Sequence, residues 1–296
     1  MTNSLWSSVQ RIQTSDKIVR HRLLNTLGCQ VGRVIAAEAL VRRRRRRLGH
    51  DLTAAEAGLV RDGVATIDGF LPPALFDAVV EEMDRAEATY FRKRPSADKF
   101  GIIRQKIALL KAPAQFPVSC GAIMENESLL RLARVGEGWA PGDGFAAHGV
   151  DLRYERLDQA TAPGDVGARD AEVSSGDMHA DTFHYVTKAF LTLNDVTLEN
   201  SPYTYARGTQ RLTLSRLFWE YRNSLRGEQY TTDEYHNRVW ESELDRLGIH
   251  GEPLEVPKNT LIVTNTFGFH RRGAMTRQGA MRRMLRLDFR SNPFRE

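Results

Sequence analysis

The sequence predicts a mainly β fold of the α+β class, in which helices surround a core of strands. Short apolar or alternating runs, which are typical of strands, recur along the second half of the chain. They are Val150–Leu157, Ala189–Leu193, the run after the turn at 257–259, and Met284–Phe289. Helical patterns precede and interrupt these runs. The chain has 296 residues, 41% of them hydrophobic and 27% charged, so it can bury one large core and has an ordinary globular composition.

The positive charge of the chain is concentrated at its N-terminus. The formal net charge is +5. Residues 1–50 hold eleven Lys and Arg, six of them in the run Arg42–Arg47, against only Asp16 and Glu38. That balance of +9 leaves −4 for the rest of the chain. The body is therefore mildly acidic, and we do not expect it to bind nucleic acid.

Residues 1–52 are expected to form a basic, amphipathic helical arm. Apolar residues recur every four positions, at Val19, Leu23, Leu27, Val31 and Ile35. Polar residues interrupt the segment too often for a membrane span. Three interpretations stay open: a solvated helix, peripheral contact with a membrane or another anionic partner, and a targeting or nucleic-acid-binding segment.

The expected location is cytoplasmic, with peripheral membrane contact through residues 1–50 as one option. The N-terminus lacks an apolar segment with a small-residue cleavage site, so we do not expect secretion. Cys29 and Cys120 stand alone, without the spacing of a metal or redox motif. Both are expected to be reduced thiols.

Residues 53–296 are expected to form the main domain. Thr53 and Glu56 have the spacing of a capping box, which predicts a helix start. Further helices are predicted at Pro72–Ala86 and Glu125–Val135, and a strand at Ile102–Lys111. The stretch Asp158–Ser175 reads as a loop, either an ordinary surface loop or one that closes over a site.

A helical insertion is expected at about 213–255, as two helices separated near Gly227. We expect its aromatic residues to pack the helices against the strands. The other interpretation is a substrate lid, in which Arg216, Arg222 or Arg226 would reach an anionic substrate.

His179 and Asp181 form an H-x-D pair, the first candidates for a metal site. Two residues apart on an extended strand, their side chains would leave the same face. His270, at the end of a later strand-like run, is placed to supply a third ligand. Two imidazoles and one carboxylate on one side of an ion form the facial triad of non-haem Fe(II) sites. H-x-D alone also fits a hydrogen-bonded structural pair.

The order of residues around this pair is more specific than the pair itself. After it come an apolar strand, the loop E-N-S-P at 199–202, A-R-G-T-Q at 206–210, His270, and finally Arg282 and Arg283. In this order the sequence resembles the phytanoyl-CoA dioxygenase-like family, whose pattern is H-x-D, N-G, P-G-S/T-H, a distal His and an Arg. The opening of the body is also similar to that family, so the resemblance runs from about residue 55 to 290.

The resemblance implies a fold and a reaction. The implied core is a double-stranded β-helix, the cupin-like jelly roll, flanked by helices. The implied cofactors are Fe(II), 2-oxoglutarate as cosubstrate and O₂, with His179, Asp181 and His270 as the catalytic metal ligands. The implied reaction hydroxylates a C–H bond of a small-molecule or lipid-linked metabolite and forms succinate and CO₂. Related halogenases have a small residue in place of the carboxylate, so Asp181 argues against halogenation.

The family's arginine for the distal carboxylate of 2-oxoglutarate corresponds to Arg282 or Arg283. Arg suits this role because its planar fork binds a carboxylate through two hydrogen bonds. If Arg282 points inward, Met284, Arg286 and Asp288 share its face, and the intervening apolar residues pack outward. Helices cover the outer face of that sheet in the family, so we favour Arg282.

Three positions depart from the family pattern: Ser201 replaces Gly, Arg207 replaces Pro and Gln210 replaces His. None is a metal ligand, but together they indicate a divergent branch whose substrate cannot be transferred from the family. His184 is expected to be structural. Two alternative functions stay open: a metal-binding jelly roll without oxygenase activity, and a nucleic-acid-binding protein acting through the arginine arm.

Overall fold

A computed structural model describes residues 19, 21–47, 51–91, 97, 101–139, 147–157, 176–226, 237–289 and 292–294. Within these ranges the helices are α1 (Arg22–Thr26), α2 (Cys29–Arg45), α3 (Ala54–Asp62), α4 (Pro73–Tyr90), α5 (Pro117–Met124), α6 (Glu127–Glu137), α7 (Leu214–Arg226) and α8 (Glu241–Leu247). The strands are β1 (Val64–Ile67), β2 (Ile102–Ala108), β3 (Ala147–Leu157), β4 (Thr187–Thr192), β5 (Tyr203–Tyr205), β6 (Glu252–Leu254), β7 (Leu261–Asn265), β8 (His270–Arg272) and β9 (Met281–Phe289).

The strands form two antiparallel sheets. The larger has the order β1-β7-β4-β9-β3-β2 and the smaller β6-β5-β8. Apart from β2 and β3, neighbouring strands in the larger sheet are not consecutive in sequence, as in a jelly roll. Side chains from both sheets line one cavity. The predicted fold, a jelly-roll core with flanking helices, is confirmed.

The outer face of the larger sheet carries the main apolar core. Leu285, Leu287 and Phe289 of β9 are almost fully buried there, together with residues of α4, α5 and α6. Full burial of each such side chain contributes on the order of 1.5–3 kcal/mol. The helices therefore fix one face of β9, and the opposite face is left for the cavity.

Local sequence signals place several of these elements correctly. The Thr53 hydroxyl accepts from the Glu56 amide at 3.3 Å, and the Glu56 carboxylate accepts from the Thr53 amide at 2.8 Å, so the capping box is confirmed. The helices predicted at Pro72–Ala86 and Glu125–Val135 are α4 and α6. The strand predicted at Ile102–Lys111 is shorter, since residues 109–111 form a 3₁₀ turn.

The run before His270 differs from the prediction, because it is not one strand. The Asn265 side chain accepts from the Phe267 amide at 3.1 Å, and the Gly268 amide donates to the Asn265 carbonyl. This turn carries the chain from the larger sheet to the smaller one. His270 therefore begins β8 instead of ending a strand.

The insertion contains two described helices, α7 and α8, as predicted. Trp219 is buried and its ring packs edge-on against Phe269, but Phe218 and Trp240 are exposed. Only part of the aromatic set therefore packs inward. Residues 227–236, with Tyr230 and Tyr235, and the predicted loop Asp158–Ser175 lie outside the described residues.

The lid interpretation of the insertion arginines is not supported by their contacts. Arg216 is buried in an ion pair with Glu220 at 2.9 Å and donates to the Phe267 carbonyl. The Arg226 guanidinium lies 3.3 Å from Glu243, and the Arg222 guanidinium lies over the Phe218 ring. Arg216 thus connects its helix to the turn before β8, Arg226 connects α7 to α8, and Arg222 contacts a residue of its own helix.

The described part of the N-terminal arm packs on the body with a different face from the predicted one. Leu23, Leu27 and Ile35 are exposed. Gly28, at φ +82°, breaks the pattern into two helices, and α2 buries a face around Val34, Ala37 and Val41. These residues pack with three aromatics, Phe183, Tyr185 and Phe267. The boundary at residue 52 stays a prediction.

The arginine run is partly built into the structure. Arg42 pairs with Glu38, Arg44 donates to the Pro293 carbonyl and Arg45 to the Gly136 carbonyl. Arg43, Arg46 and Arg47 are exposed. In the described part of the chain, no helix combines the length and apolar character that crossing a bilayer requires.

Candidate metal centre

Backbone pairing brings the two predicted histidines together. The amides and carbonyls of His179 and His270 exchange two hydrogen bonds of 3.0 Å, forming an isolated antiparallel bridge. The Asp181 amide donates to the Thr266 carbonyl at 2.9 Å, in the turn before β8. Asp181 lies in a bend, so the predicted extended strand through the H-x-D pair is wrong, although its two side chains do meet.

The three side chains form one compact set of donor atoms. Among the described residues, His179, Asp181 and His270 offer ligand atoms that all lie within 4.8 Å of one another. His179 Nε2 lies 3.7 Å from Asp181 Oδ1, and His270 Nε2 lies 3.7 Å from Asp181 Oδ2. Both imidazoles therefore face the carboxylate through the same nitrogen.

The other ring nitrogen of each imidazole is held by the backbone. His179 Nδ1 lies 2.8 Å from the Asp177 carbonyl, and His270 Nδ1 lies 2.9 Å from the Gly268 carbonyl. A carbonyl only accepts, so in the neutral ring each Nδ1 donates. This tautomer leaves the Nε2 lone pairs directed at Asp181, the arrangement that a metal ion requires.

Electrostatics favour the protonation states of a metal site. Burial lowers the pKa of His270 to about 3, and desolvation also lowers the pKa of His179, so both rings are neutral at neutral pH. Burial alone would raise the pKa of Asp181, but the Lys188 ammonium and the two imidazoles together outweigh it and hold that pKa far below its usual range. Two neutral imidazoles and one carboxylate result.

His184 is separate from this set. Its side chain is buried, its Nδ1 lies 3.0 Å from the Tyr185 carbonyl, and its ring packs on Phe183. It does not belong to the ligand group found among the described residues. These contacts agree with the structural role expected of it.

A cavity of about 280 Å³ opens beside the triad. Its lining is unusually rich in charge for a small-molecule site. The lining residues outside the triad are Arg153, Glu155, Lys188, Phe190, Tyr203, Arg271, Arg272, Arg282, Met284 and Arg286.

Arg282 and Arg283 lie on opposite sides of the larger sheet. Arg282 lines the cavity, whereas Arg283 pairs with Asp84 and Glu87 of α4 on the outer face. Met284 and Arg286 also line the cavity. The predicted alternation of β9 is thus observed, with Arg282 on the cavity side.

Arg282 belongs to a group that we call the Glu155 cluster, made of Glu155, Arg104, Arg272 and Arg282. The Arg282 guanidinium lies 2.7 Å from the Glu155 carboxylate, Arg272 lies 3.2 Å from it and Arg104 3.6 Å. Arg282 also donates to the Ser201 carbonyl. Burial alone would raise the pKa of Glu155, but the three guanidinium groups hold it below its usual value.

A second group, the Asp151 cluster, lies further along β9 and consists of Asp151, Asp288, Arg153, Arg286 and Lys106. Arg286 contacts both carboxylates, at 2.7 Å from Asp288 and 3.1 Å from Asp151. Arg153 and Lys106 lie 3.0 Å and 3.2 Å from Asp151. Lys188 connects this cluster to the triad, since its ammonium is 2.5 Å from Asp181 and 3.7 Å from Asp288.

Sequence reasoning missed most of these cavity residues. Lys188 could have been recognised as a candidate site residue, because it is the single charged residue in an otherwise uncharged strand. Glu155 and Arg153 lie on a strand with mixed alternation, where the sequence does not show which face borders a cavity, whereas the alternation of β9 predicts Arg286 on the face of Arg282.

Two departures from the family pattern have structural counterparts. Ser201 has φ +70°, a left-handed conformation that favours glycine, and its hydroxyl donates to the Gly273 carbonyl. The buried Gln210 amide donates to the Val60 and Arg61 carbonyls at the end of α3. Both side chains hold backbone near the site instead of entering it.

The comparisons with known proteins show the fold. No family model and no curated protein matches this sequence. The chain is similar to the solved structure of the epimerase SnoN in complex with Fe³⁺, alpha ketoglutarate and nogalamycin RO, with 14% identity, a TM-score of 0.54, and coverage of 83% of this chain and 82% of that one.

Two further structures have the same similarity in fold. HygX from Streptomyces hygroscopicus, with nickel and 2-oxoglutarate bound, has 14% identity, a TM-score of 0.51, and coverage of 80% of this chain and 87% of that one. EctD from S. alaskensis with bound Fe has 16% identity, a TM-score of 0.51, and coverage of 82% and 79%.

Proposed function

We propose that this chain is an Fe(II)- and 2-oxoglutarate-dependent oxygenase that hydroxylates a C–H bond of a small-molecule or lipid-linked metabolite. The observation that carries the proposal is the pair of neutral imidazoles whose Nε2 atoms face one partly buried carboxylate beside a cation-lined cavity. Solved structures with this fold support it, since SnoN contains Fe³⁺ and alpha ketoglutarate, HygX contains nickel and 2-oxoglutarate, and EctD contains Fe.

The donor set fits Fe(II). Two nitrogen donors and one carboxylate, with the rest of the coordination sphere open, are typical of non-haem iron sites that bind a cosubstrate and O₂. A structural zinc site would instead close its coordination with four protein ligands. His179, Asp181 and His270 would hold the ion, and the Asp177 and Gly268 carbonyls would fix the ring orientations.

The cavity fits 2-oxoglutarate. Arg282, buried on the cavity side of β9, would bind the distal carboxylate through its planar fork. Bound Fe(II) and 2-oxoglutarate supply the O₂ activation and hydrogen-atom removal, with succinate and CO₂ as products, and the protein supplies orientation and exclusion of water. Phe190, Tyr203 and Met284 would contribute the apolar part of the wall.

Hydroxylation is the specific reaction that we propose. The carboxylate at Asp181 argues against halogenation. Solved structures of this fold include an epimerase and a carbocyclase, SnoN and SnoK, so hydroxylation is not the only outcome on such a scaffold.

A second candidate function is metal binding in a jelly roll without oxygenase activity. One observation favours it: the side chains that would bind the cofactors already form ion pairs within the protein. Asp181, which would bind the metal ion, pairs with Lys188, and Arg282, which would bind 2-oxoglutarate, pairs with Glu155. Formation of succinate from 2-oxoglutarate that depends on Fe(II) distinguishes the two candidates. Metal binding without succinate formation would favour the second.

The test is anaerobic titration with Fe(II) and 2-oxoglutarate, monitored by the weak visible charge-transfer band of the iron chelate. We expect the band in the native protein and its loss in His179→Ala and His270→Ala, because each removes one of three ligands. His250→Ala, which removes an exposed imidazole, is the matched control and should retain the band. A band of native intensity in His270→Ala would refute the ligand assignment.

A further inference from the structure

We propose that the Asp151 cluster, together with Lys188, binds an anionic group of the substrate, so that the substrate is a small molecule carrying a phosphate or similar oxyanion. This inference rests on the proposed function, because it assigns the Glu155 cluster to the cosubstrate. It concerns residues to which neither the sequence nor the comparisons give a role.

The two clusters occupy different stretches of the cavity wall. On β9, Arg282 and Arg286 are four residues apart, which corresponds to about 13 Å along a strand. β3 follows the same separation, since Glu155 pairs with Arg282 and Asp151 pairs with Arg286. One anion therefore cannot satisfy both clusters, and a cosubstrate carboxylate held by Arg282 leaves the second cluster to another ligand.

The Asp151 cluster has more positive than negative charge. Arg153, Arg286 and Lys106 share two carboxylates, Asp151 and Asp288. Lys188 adds a fourth cation, and its shortest contact is with Asp181. A divalent ion at the triad would bind the Asp181 carboxylate. The Lys188 ammonium would then be available to groups of the Asp151 cluster and to a ligand in the cavity.

Two arginines of the Asp151 cluster have hydrogen-bond donors without partners, which also supports an anion site. The Nε atoms of Arg153 and Arg286 are buried and have no hydrogen-bond partner in the described chain, and one acceptor of the same cluster, Asp288 Oδ1, is buried without one as well. Buried donors without partners are uncommon and cost free energy, so the existing carboxylates do not saturate these two guanidinium groups. Arg271 also lines the cavity, and no ion pair joins it to a described residue.

The chemistry of the cations selects the class of ligand. Two guanidinium groups and an ammonium around one cavity suit a tetrahedral oxyanion, since Arg donates in a planar fork and Lys as a point charge. A neutral, apolar substrate would instead leave this excess charge poorly solvated. The cavity of about 280 Å³ fits a small phosphorylated molecule.

The experiment uses phenyl phosphate as the probe and phenol as its uncharged match. The full-length protein is saturated anaerobically with Fe(II) and 2-oxoglutarate, the chelate band is recorded, and each probe is then titrated by calorimetry. We expect phenyl phosphate to bind at least about tenfold more tightly than phenol. Arg286→Met and Arg153→Met should each weaken phenyl phosphate binding about tenfold or more, as expected for loss of a charge-assisted hydrogen bond.

Arg156→Met is the matched control. It lies on the same strand as Arg153, three residues away, so alternation places it on the opposite face. It should change the affinity by less than about twofold. Equal weakening in Arg156→Met would overturn the proposal, because the effect would then come from overall charge. Arg286→Lys, which keeps the charge, should be intermediate and covers the case in which Arg286→Met does not fold.

The band and the calorimetry separate two kinds of failure. Absence of the band in the native protein overturns the proposed function. A normal band with equal affinity for phenyl phosphate and phenol overturns the anion site alone.

Discussion

Arg282 and Arg283 are adjacent on one strand and equally buried, at 8% exposure each, yet they face opposite sides of the sheet. Arg282 lies in the cavity with a carboxylate from the neighbouring strand, Glu155. Arg283 lies against α4 with two acidic residues of that helix, Asp84 and Glu87. The same residue type at the same depth is thus placed for ligand binding on one face and for helix docking on the other.

The contrast extends along the whole of β9. Leu285, Leu287 and Phe289 of the outer face are almost fully buried among helices. The cavity face carries Met284 and the charged residues Arg286 and Asp288. Stability should therefore depend mainly on the outer face of this strand, and ligand binding mainly on its cavity face.

Leu287→Ala should have the largest effect on stability. Leu287 is 1% exposed in the main core, and truncation of such a residue removes buried area and leaves a cavity. We expect a loss of about 2–5 kcal/mol in the free energy of unfolding, measured with urea. Leu198→Ala, at a side chain 53% exposed, should change it by less than about 0.5 kcal/mol. A similar loss in both variants would contradict the outer-face assignment.

Arg282→Met should have the largest effect on cosubstrate binding. Loss of a charge-assisted hydrogen-bond donor costs about 1.5–3 kcal/mol, so the 2-oxoglutarate concentration for half-maximal chelate formation should rise about ten- to a hundredfold. Arg282→Lys should recover only part of the loss, because an ammonium lacks the planar fork. An unchanged requirement would exclude Arg282 and move the role to Arg272, which contacts the same carboxylate.

Arg283→Met tests the opposite face with the same substitution. It leaves the Glu87 carboxylate, which is 17% exposed, without its guanidinium partner. The Asp84 carboxylate is more exposed, so water replaces most of the interaction that it loses. We expect a loss of about 1–2 kcal/mol in unfolding free energy and an unchanged 2-oxoglutarate requirement. A rise in that requirement comparable with Arg282→Met would show that the two faces are not independent.

The features predicted correctly depend on local or strictly periodic signals. The capping box at Thr53 and Glu56 needs only three residues of chain. The inward direction of Arg282 follows from the period of two in β9 and from the apolar residues that alternate with it. The meeting of His179, Asp181 and His270 was predicted from motif order and a family resemblance.

The features that the sequence did not reveal depend on tertiary structure. The buried face of the arm is set by the break at Gly28, which shifts the helical phase that a spacing of four had predicted. The turn at Asn265–Gly268 is set by an Asn side chain and by Tyr205, whose hydroxyl would collide with any Cβ at Gly268. The charged clusters need β2, β3 and β9 to be adjacent, which no local pattern specifies.

The smallest expected effect is a difference in acid sensitivity between Glu155 and Glu87, the carboxylates beside the two arginines. Burial alone would raise the pKa of Glu155, but Arg282 and its neighbours hold that pKa below the ordinary 4.5. The ionised Glu155 therefore stabilises the folded state above pH 4.5, and this stabilisation is lost as the pH falls through the folded-state pKa. Burial raises the pKa of Glu87 despite Arg283, so its protonation favours the folded state as pH falls. Relative to the native protein, the unfolding free energy should fall less steeply with decreasing pH below about pH 4.5 in Glu155→Gln, and more steeply just above about pH 4.5 in Glu87→Gln. Urea unfolding across that pH range measures both slopes, and slopes that change in the same direction would contradict the distinction between the cavity face and the helix face.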